Sequence, residues 1–120
     1  MGLKERFWWI PFGSVPEISA VELHHLLESH RTPQIIDVRT RMEWKNRRIR
    51  GAVSVPITEL PERLTDLELD KTRPVVAICL SAHRSIPAVR LLQKAGFENA
   101  AQLSGGMKSW WKLGYPAEKG

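Results

Sequence analysis

Apolar positions fall into short unbroken runs separated by amphipathic stretches. Gln34-Ile-Ile-Asp-Val38 and Pro74-Val-Val-Ala-Ile-Cys79 are rich in β-branched residues and lack polar alternation. Such runs suit strands buried on both faces of a parallel sheet. Two weaker runs, about Ala52 to Val55 and Ala100 to Leu103, predict further strands.

Helical signals fill the intervals. Ser19-Ala-Val-Glu22 has the form of a capping box, in which a serine hydroxyl and a glutamate carboxylate satisfy free backbone donors. Leu23, Leu26 and Leu27 follow at the spacing of a buried stripe, and Arg31-Thr-Pro33 closes the helix after about Ser29. Short helical stretches are expected near Thr40 to Trp44 and Thr58 to Leu67. A longer helix spans Ser85 to Ala95, with Pro87 in its first turn and Gly96 beyond its end. After the turn Ser104-Gly-Gly106, a last helix covers about Met107 to Leu113. Strands alternating with helices predict an α/β fold, a central parallel sheet flanked by helices on both faces.

With 120 residues and no internal repeat or linker, the chain reads as one domain over 14–120 preceded by an aromatic arm, 1–13. The arm carries Phe7, Trp8, Trp9, Ile10, Pro11 and Phe12. Packing across an apolar face is its expected role, with a partner or membrane-surface contact as the competing one.

A hydrophobic fraction of 42% and a charged fraction of 26% place the chain among ordinary soluble globular proteins. No apolar run approaches the ~20 residues of a membrane span, and the first residues lack a signal peptide's apolar stretch, so the cytoplasm is the expected location. The net charge of +5 favours anionic ligands or acidic surfaces; Lys45, Arg47, Arg48 and Arg50 concentrate part of it. These four read as a solvated face, or as a guide for an anionic donor. Nucleic acid is not expected, because RNA-binding signatures, zinc-finger spacing and a basic helical stripe are all missing. His24, His25 and His30 read as exposed surface residues.

Cys79, the only cysteine, excludes an intrachain disulfide, a four-thiolate zinc site and a dithiol mechanism resolved within the chain. It closes an apolar strand and precedes the loop Leu80-Ser81-Ala82-His83-Arg84-Ser85, after which the long helix begins. Ligands of open α/β sheets bind at such strand ends. A loop of this length can turn several backbone N–H groups inward, and the helix start adds partial positive charge. A thiolate placed there is stabilised relative to its thiol. A free cysteine in an apolar strand is ordinarily a small buried hydrophobe; strand end, polar loop, arginine and helix start together favour chemistry.

The stretch Cys79-Leu-Ser-Ala-His-Arg84-Ser85 resembles the active-site loop of the rhodanese family, in which cysteine is followed by two variable residues, glycine, one variable residue, arginine and serine. Ala82 stands at the glycine position. Ile35-Ile-Asp37-Val-Arg39 resembles the family's first strand block, and Glu43-Trp44 with Ile49-Arg-Gly51-Ala52 and Pro56 its second. Leu91-Leu92, Gly96-Phe97, Leu103 and Gly105-Gly106-Met-Lys-Ser-Trp110 resemble its closing elements, so the likeness covers roughly 16–116. Arg47-Arg48 stands where many members have Gly-His, and Ser54 where many have Asn.

The resemblance implies a single rhodanese-like domain acting as a thiosulfate sulfurtransferase. By that resemblance Cys79 is expected to take sulfane sulfur as a persulfide from a small donor and pass it to a thiol or protein acceptor; no cofactor and no metal are expected, because metal-ligand spacing, a nucleotide-binding glycine loop and a cofactor lysine are all missing from the sequence. It assigns the anion-binding loop to Leu80, Ser81, Ala82, His83, Arg84 and Ser85. For Arg84, loop geometry and anion stabilisation compete with a structural role alone; His83 is expected to face solvent rather than serve as a general base. Asp37 and Arg39 are expected to form a supporting buried pair. A monomer or weak dimer is expected. Two other readings compete: a phosphatase or arsenate reductase, whose loops generally hold one more residue between cysteine and arginine, and a sulfur-carrier or regulatory module with weak turnover, motivated by Ala82.

Overall fold

The computed structural model describes residues 15–120; the aromatic arm lies outside the described residues. Among the described residues there are five strands: β1 (Glu17–Ile18), β2 (Gln34–Asp37), β3 (Val53–Ser54), β4 (Val75–Ile78) and β5 (Ala100–Leu103). The helices are α1 (Ala20–Glu28), α2 (Arg41–Asn46), α3 (Leu60–Arg63), α4 (Ser85–Lys94) and α5 (Gly106–Lys112). Every strand pairing is parallel, in the order β1-β5-β4-β2-β3.

Successive strand residues point to opposite faces, so the apolar runs feed two separate cores. Ile36, Val38, Val75, Ala77 and Cys79 join Leu60 of α3 and Val89 and Leu92 of α4 on one face. Ile35, Val76, Ile78 and Leu103 join Leu23 and Leu27 of α1 and Met107 and Trp110 of α5 on the other. Helices on both faces follow from that division.

Local signals set the helix ends. Ser19 caps α1 by accepting the Glu22 N–H, but the reciprocal carboxylate bond expected of Glu22 does not form. A complete capping box appears instead on α2, where Thr40 accepts the Glu43 N–H and the Glu43 carboxylate accepts the Thr40 N–H. Helix α4 ends at Gly96, whose φ of +102° suits glycine. There the N–H groups of Gly96 and Phe97 donate back to Gln93 and Leu92 carbonyls.

Two expectations need correction, and strand β1 was not anticipated. The helix expected from Thr58 to Leu67 shrinks to Leu60–Arg63, and hydrogen-bonded turns at Asp66 and Leu67 replace the rest. Strand β1 has too few residues to show a period. His24 is half-buried rather than exposed: its ring stacks on Tyr115 at 4.0 Å and meets Trp110 edge-on. His25 and His30 are exposed.

Candidate active site

Because all strands run in one direction, the loops after β2, β4 and β5 emerge at the same edge of the sheet. Cys79 directly follows the central strand β4, between them, at the kind of place where open α/β sheets bind ligands. Its side chain is only 1% exposed. The Arg84 N–H donates to Cys79 Sγ at 3.2 Å, closing the loop around the sulfur. Several inward N–H groups were expected; among the described residues, this is the one backbone donor bonded to the sulfur. No side chain caps the first turn of α4.

The loop turns sharply at Ala82, whose φ of +71° is left-handed. For a residue with a Cβ this conformation costs about 1–2 kcal/mol. Glycine would adopt it freely, so the alanine here is strained. Ser81 Oγ lies 3.0 Å from Nδ1 of the exposed His83, a contact at the rim that leaves His83 without a bond to Cys79.

Arg84 does not point its guanidinium freely into the loop. It makes two hydrogen bonds to the Glu43 carboxylate, at 2.7 and 3.1 Å, across a 41-residue separation. The Arg84 guanidinium holds the Glu43 carboxyl down at about 2, with the Thr40 capping bond acting in the same direction and partial burial opposing both. The Arg84 guanidinium is in turn pushed above its ordinary value, first by the hydrogen bond to Glu43 and further by Cys79, against the effect of burial. Glu43 was legible only as part of a family block, not as the partner of the loop arginine.

Asp37 and Arg39 form the buried pair expected of them, 0% and 1% exposed. Arg39 Nε and Nη2 donate to the two carboxylate oxygens at 2.9 and 2.7 Å, and Nη2 also reaches the Arg47 carbonyl at 2.6 Å. Neither residue bonds to Cys79; the pair fixes the loop after β2.

Two supports were not anticipated. Gly106 lies against the cysteine backbone so closely that a Cβ there would sit 2.5 Å from the Cys79 carbonyl oxygen and 2.6 Å from Leu80. The Met107 and Lys108 N–H groups donate to the carbonyls of Cys79 and Leu80 at 2.8 and 3.0 Å. The other support is a polar chain that runs from the buried Ser85 and Gln102 to the exposed Glu17. Ser85 Oγ donates to Gln102 Oε1 at 2.6 Å, and Gln102 Nε2 donates to Glu17 at 3.0 Å. An isolated glutamine inside an apolar strand was the available signal, since a buried polar group needs partners.

The basic segment departs from a simple solvated face. Arg47 stacks on Trp111 and Arg48 on Trp44, each with its guanidinium carbon 4.3 Å from the ring centre. Lys45 and Arg50 are exposed as expected. Among the described residues, no group of three or more His, Cys, Asp or Glu side chains is arranged to hold a metal ion. A shallow cleft of about 120 Å³, lined by His24, Leu27 and Trp110, opens on the sheet face opposite Cys79.

A family model described as the Rhodanese-like domain matches residues 19–113. The chain belongs to the rhodanese-like domain family. Among its relatives, a protein named "Sulfurtransferase" from Allochromatium vinosum is 31% identical over 102 residues, 85% of this chain and 94% of that one. "Putative sulfur carrier protein YrkF" of Bacillus subtilis is 33% identical over 97 residues, 81% of this chain and 51% of its own length. The chain thus spans about half of YrkF, and only 25% of the Mycobacterium tuberculosis relative MoeZ. Among solved structures, the Alr3790 protein from Anabaena superposes with a TM-score of 0.77 at 33% identity, covering 85% of this chain and 91% of that one. A rhodanese-related protein from Thermoplasma volcanium gives 0.76 at 29% identity, covering 87% and 98%. No helix among the described residues is long and apolar enough to cross a membrane.

Proposed function

We propose that this rhodanese-like domain is a sulfurtransferase whose nucleophile is Cys79. The observation that carries the reading is the Cys79 sulfur at the end of the central strand, inside a loop closed by the Arg84 N–H. Relatives named sulfurtransferase and sulfur carrier support the same chemistry.

In the first step the Cys79 thiolate attacks the outer sulfur of thiosulfate. A Cys79 S–S bond forms, the donor S–S bond breaks, and sulfite leaves with the bonding pair. In the second step an acceptor thiolate attacks the terminal sulfur, becomes a persulfide itself, and releases the Cys79 thiolate. The Arg84 N–H stabilises negative charge at the sulfur in both resting and loaded states. Arg84's guanidinium, held by Glu43, acts mainly by shaping the loop and by adding positive charge nearby. Four residues separate Cys79 from Arg84, which suits a single terminal sulfur better than the tetrahedral oxyanion of a phosphatase.

Steady-state kinetics with thiosulfate and a thiol acceptor test this route. Covalent transfer predicts parallel double-reciprocal lines; intersecting lines would contradict it. The left-handed Ala82 favours a second reading, a sulfur-carrier or regulatory module that accepts sulfur but turns over slowly. That reading predicts stoichiometric loading with release limited to a specific protein acceptor.

A further inference from the structure

One surface beside the cysteine mouth is built from features that sulfur chemistry does not require. Lys108, Trp111 and Lys112 stand at the i, i+3, i+4 spacing that shares one face of α5, and both lysines are exposed. Arg47 joins them from the segment after α2 by stacking on the Trp111 ring, with the buried Arg39 guanidinium also near that ring at 6.0 Å. Arg47, Lys108 and Lys112 form no ion pair with any described residue. Among the described residues the patch therefore presents three cations without an ion-pair partner around an aromatic plate.

Its position is fixed relative to Cys79. The Lys108 N–H bonds the Leu80 carbonyl, the residue after the cysteine, and Leu80 packs in the same apolar cluster as Trp111. The Arg47 carbonyl is held by Arg39 at the end of the loop after β2. A backbone bond from Lys108 and a side-chain bond from Arg39 thus tie the two halves of the patch to the two loops that frame the site.

We infer that the face formed by Arg47, Lys108, Trp111 and Lys112 docks an acidic protein surface, bringing a partner's thiol to the Cys79 mouth. Charge complementarity identifies the partner: cations spread along a helix face match several carboxylates at once, whereas a small donor dianion needs only one site. That the partner is the sulfur acceptor rests on the reading proposed above; the docking itself does not.

The probe is a fluorescently labelled peptide of alternating Glu and Gly ending in cysteine, with a Gln-for-Glu counterpart. Binding is measured by anisotropy on the Cys79→Ser protein, so no sulfur chemistry enters. The Glu peptide is expected to bind at least about tenfold more tightly than the Gln peptide at low salt. In R47Q/K108Q/K112Q this preference falls below about twofold, and in K108Q/K112Q, which keeps the Arg47–Trp111 stack, to an intermediate value. Equal binding of the two peptides, or an undiminished preference in both variants, overturns the inference. A triple variant whose loading by thiosulfate slows as much as its peptide binding weakens assigns the patch to the small donor, and also overturns it. Peptide discrimination that follows the expected pattern while Cys79-intact protein takes up no sulfur sustains the docking surface and rejects the sulfur-transfer reading instead.

Discussion

Glu43 joins two loops of the site through one carboxylate: it accepts two hydrogen bonds from Arg84 and, as the third residue of α2, a third from the Thr40 N–H. Its carboxyl is held at about 2 against an ordinary 4.5, chiefly by Arg84. Because the folded-state value lies below the unfolded one, the contribution to stability is complete above about pH 4.5 and is lost as pH falls through about 2. The two side chains are 32% and 30% exposed, so screening leaves about 1 kcal/mol at most. Acid unfolding of Glu43→Gln, followed by circular dichroism, is expected to lack this part of the decline. The same variant frees the Arg84 side chain and is expected to slow sulfur loading by about tenfold or more through misplacement of the loop.

Ala82→Gly removes the strain of a left-handed residue bearing a Cβ. Denaturant unfolding is expected to show a gain of about 1 kcal/mol, the relief being partly offset by the greater unfolded-state freedom of glycine. Ala82→Val, β-branched at the same φ of +71°, should destabilise the chain.

The elements around this loop were largely legible, for physical reasons that particular residues make clear. Val75-Val-Ala-Ile78 and Ile35-Ile36 read as central strands because both of their faces are buried, and a strand buried on both faces has no polar alternation. Ala100–Leu103 emerged with the expected bounds. The left-handed backbone at Ala82 was foreshadowed by the family's glycine at that position. By contrast, the Glu43–Arg84 pair joins residues 41 positions apart, and no local pattern encodes such a contact. Gly106 was visible as a turn glycine, but its approach to Cys79 depends on β5 lying beside β4. The stacking of Arg47 on Trp111 has the same origin: each residue is unremarkable in its own segment, and only the packing of α5 beside the loop after β2 joins them.

Gly106→Ala tests the contact with the cysteine backbone. The new methyl meets carbonyl and carbon atoms of Cys79 and Leu80 that belong to main chain and cannot rotate away, at a residue whose φ is +62°. Chemical denaturation is expected to show a loss of about 3 kcal/mol, from overpacking and backbone strain together. In folded protein, sulfur loading should fall with it.

Asp37→Ala leaves the buried Arg39 guanidinium without its counter-charge. A loss of about 3–5 kcal/mol is expected in urea or thermal unfolding, much larger than for Glu43→Gln, because the Asp37–Arg39 pair is fully buried and the Glu43–Arg84 pair is not. A loss below about 1 kcal/mol would show that water or a rearranged partner replaces the carboxylate.

The most direct test of the central claim is the intact mass of the protein after incubation with thiosulfate, wild type beside Cys79→Ser. A gain of one sulfur atom, reversed by a thiol reductant and missing from the variant, is the predicted result. An unchanged mass with thiosulfate and with other sulfane donors, or an equal gain in Cys79→Ser, would contradict the assignment of Cys79 as the sulfur-carrying nucleophile.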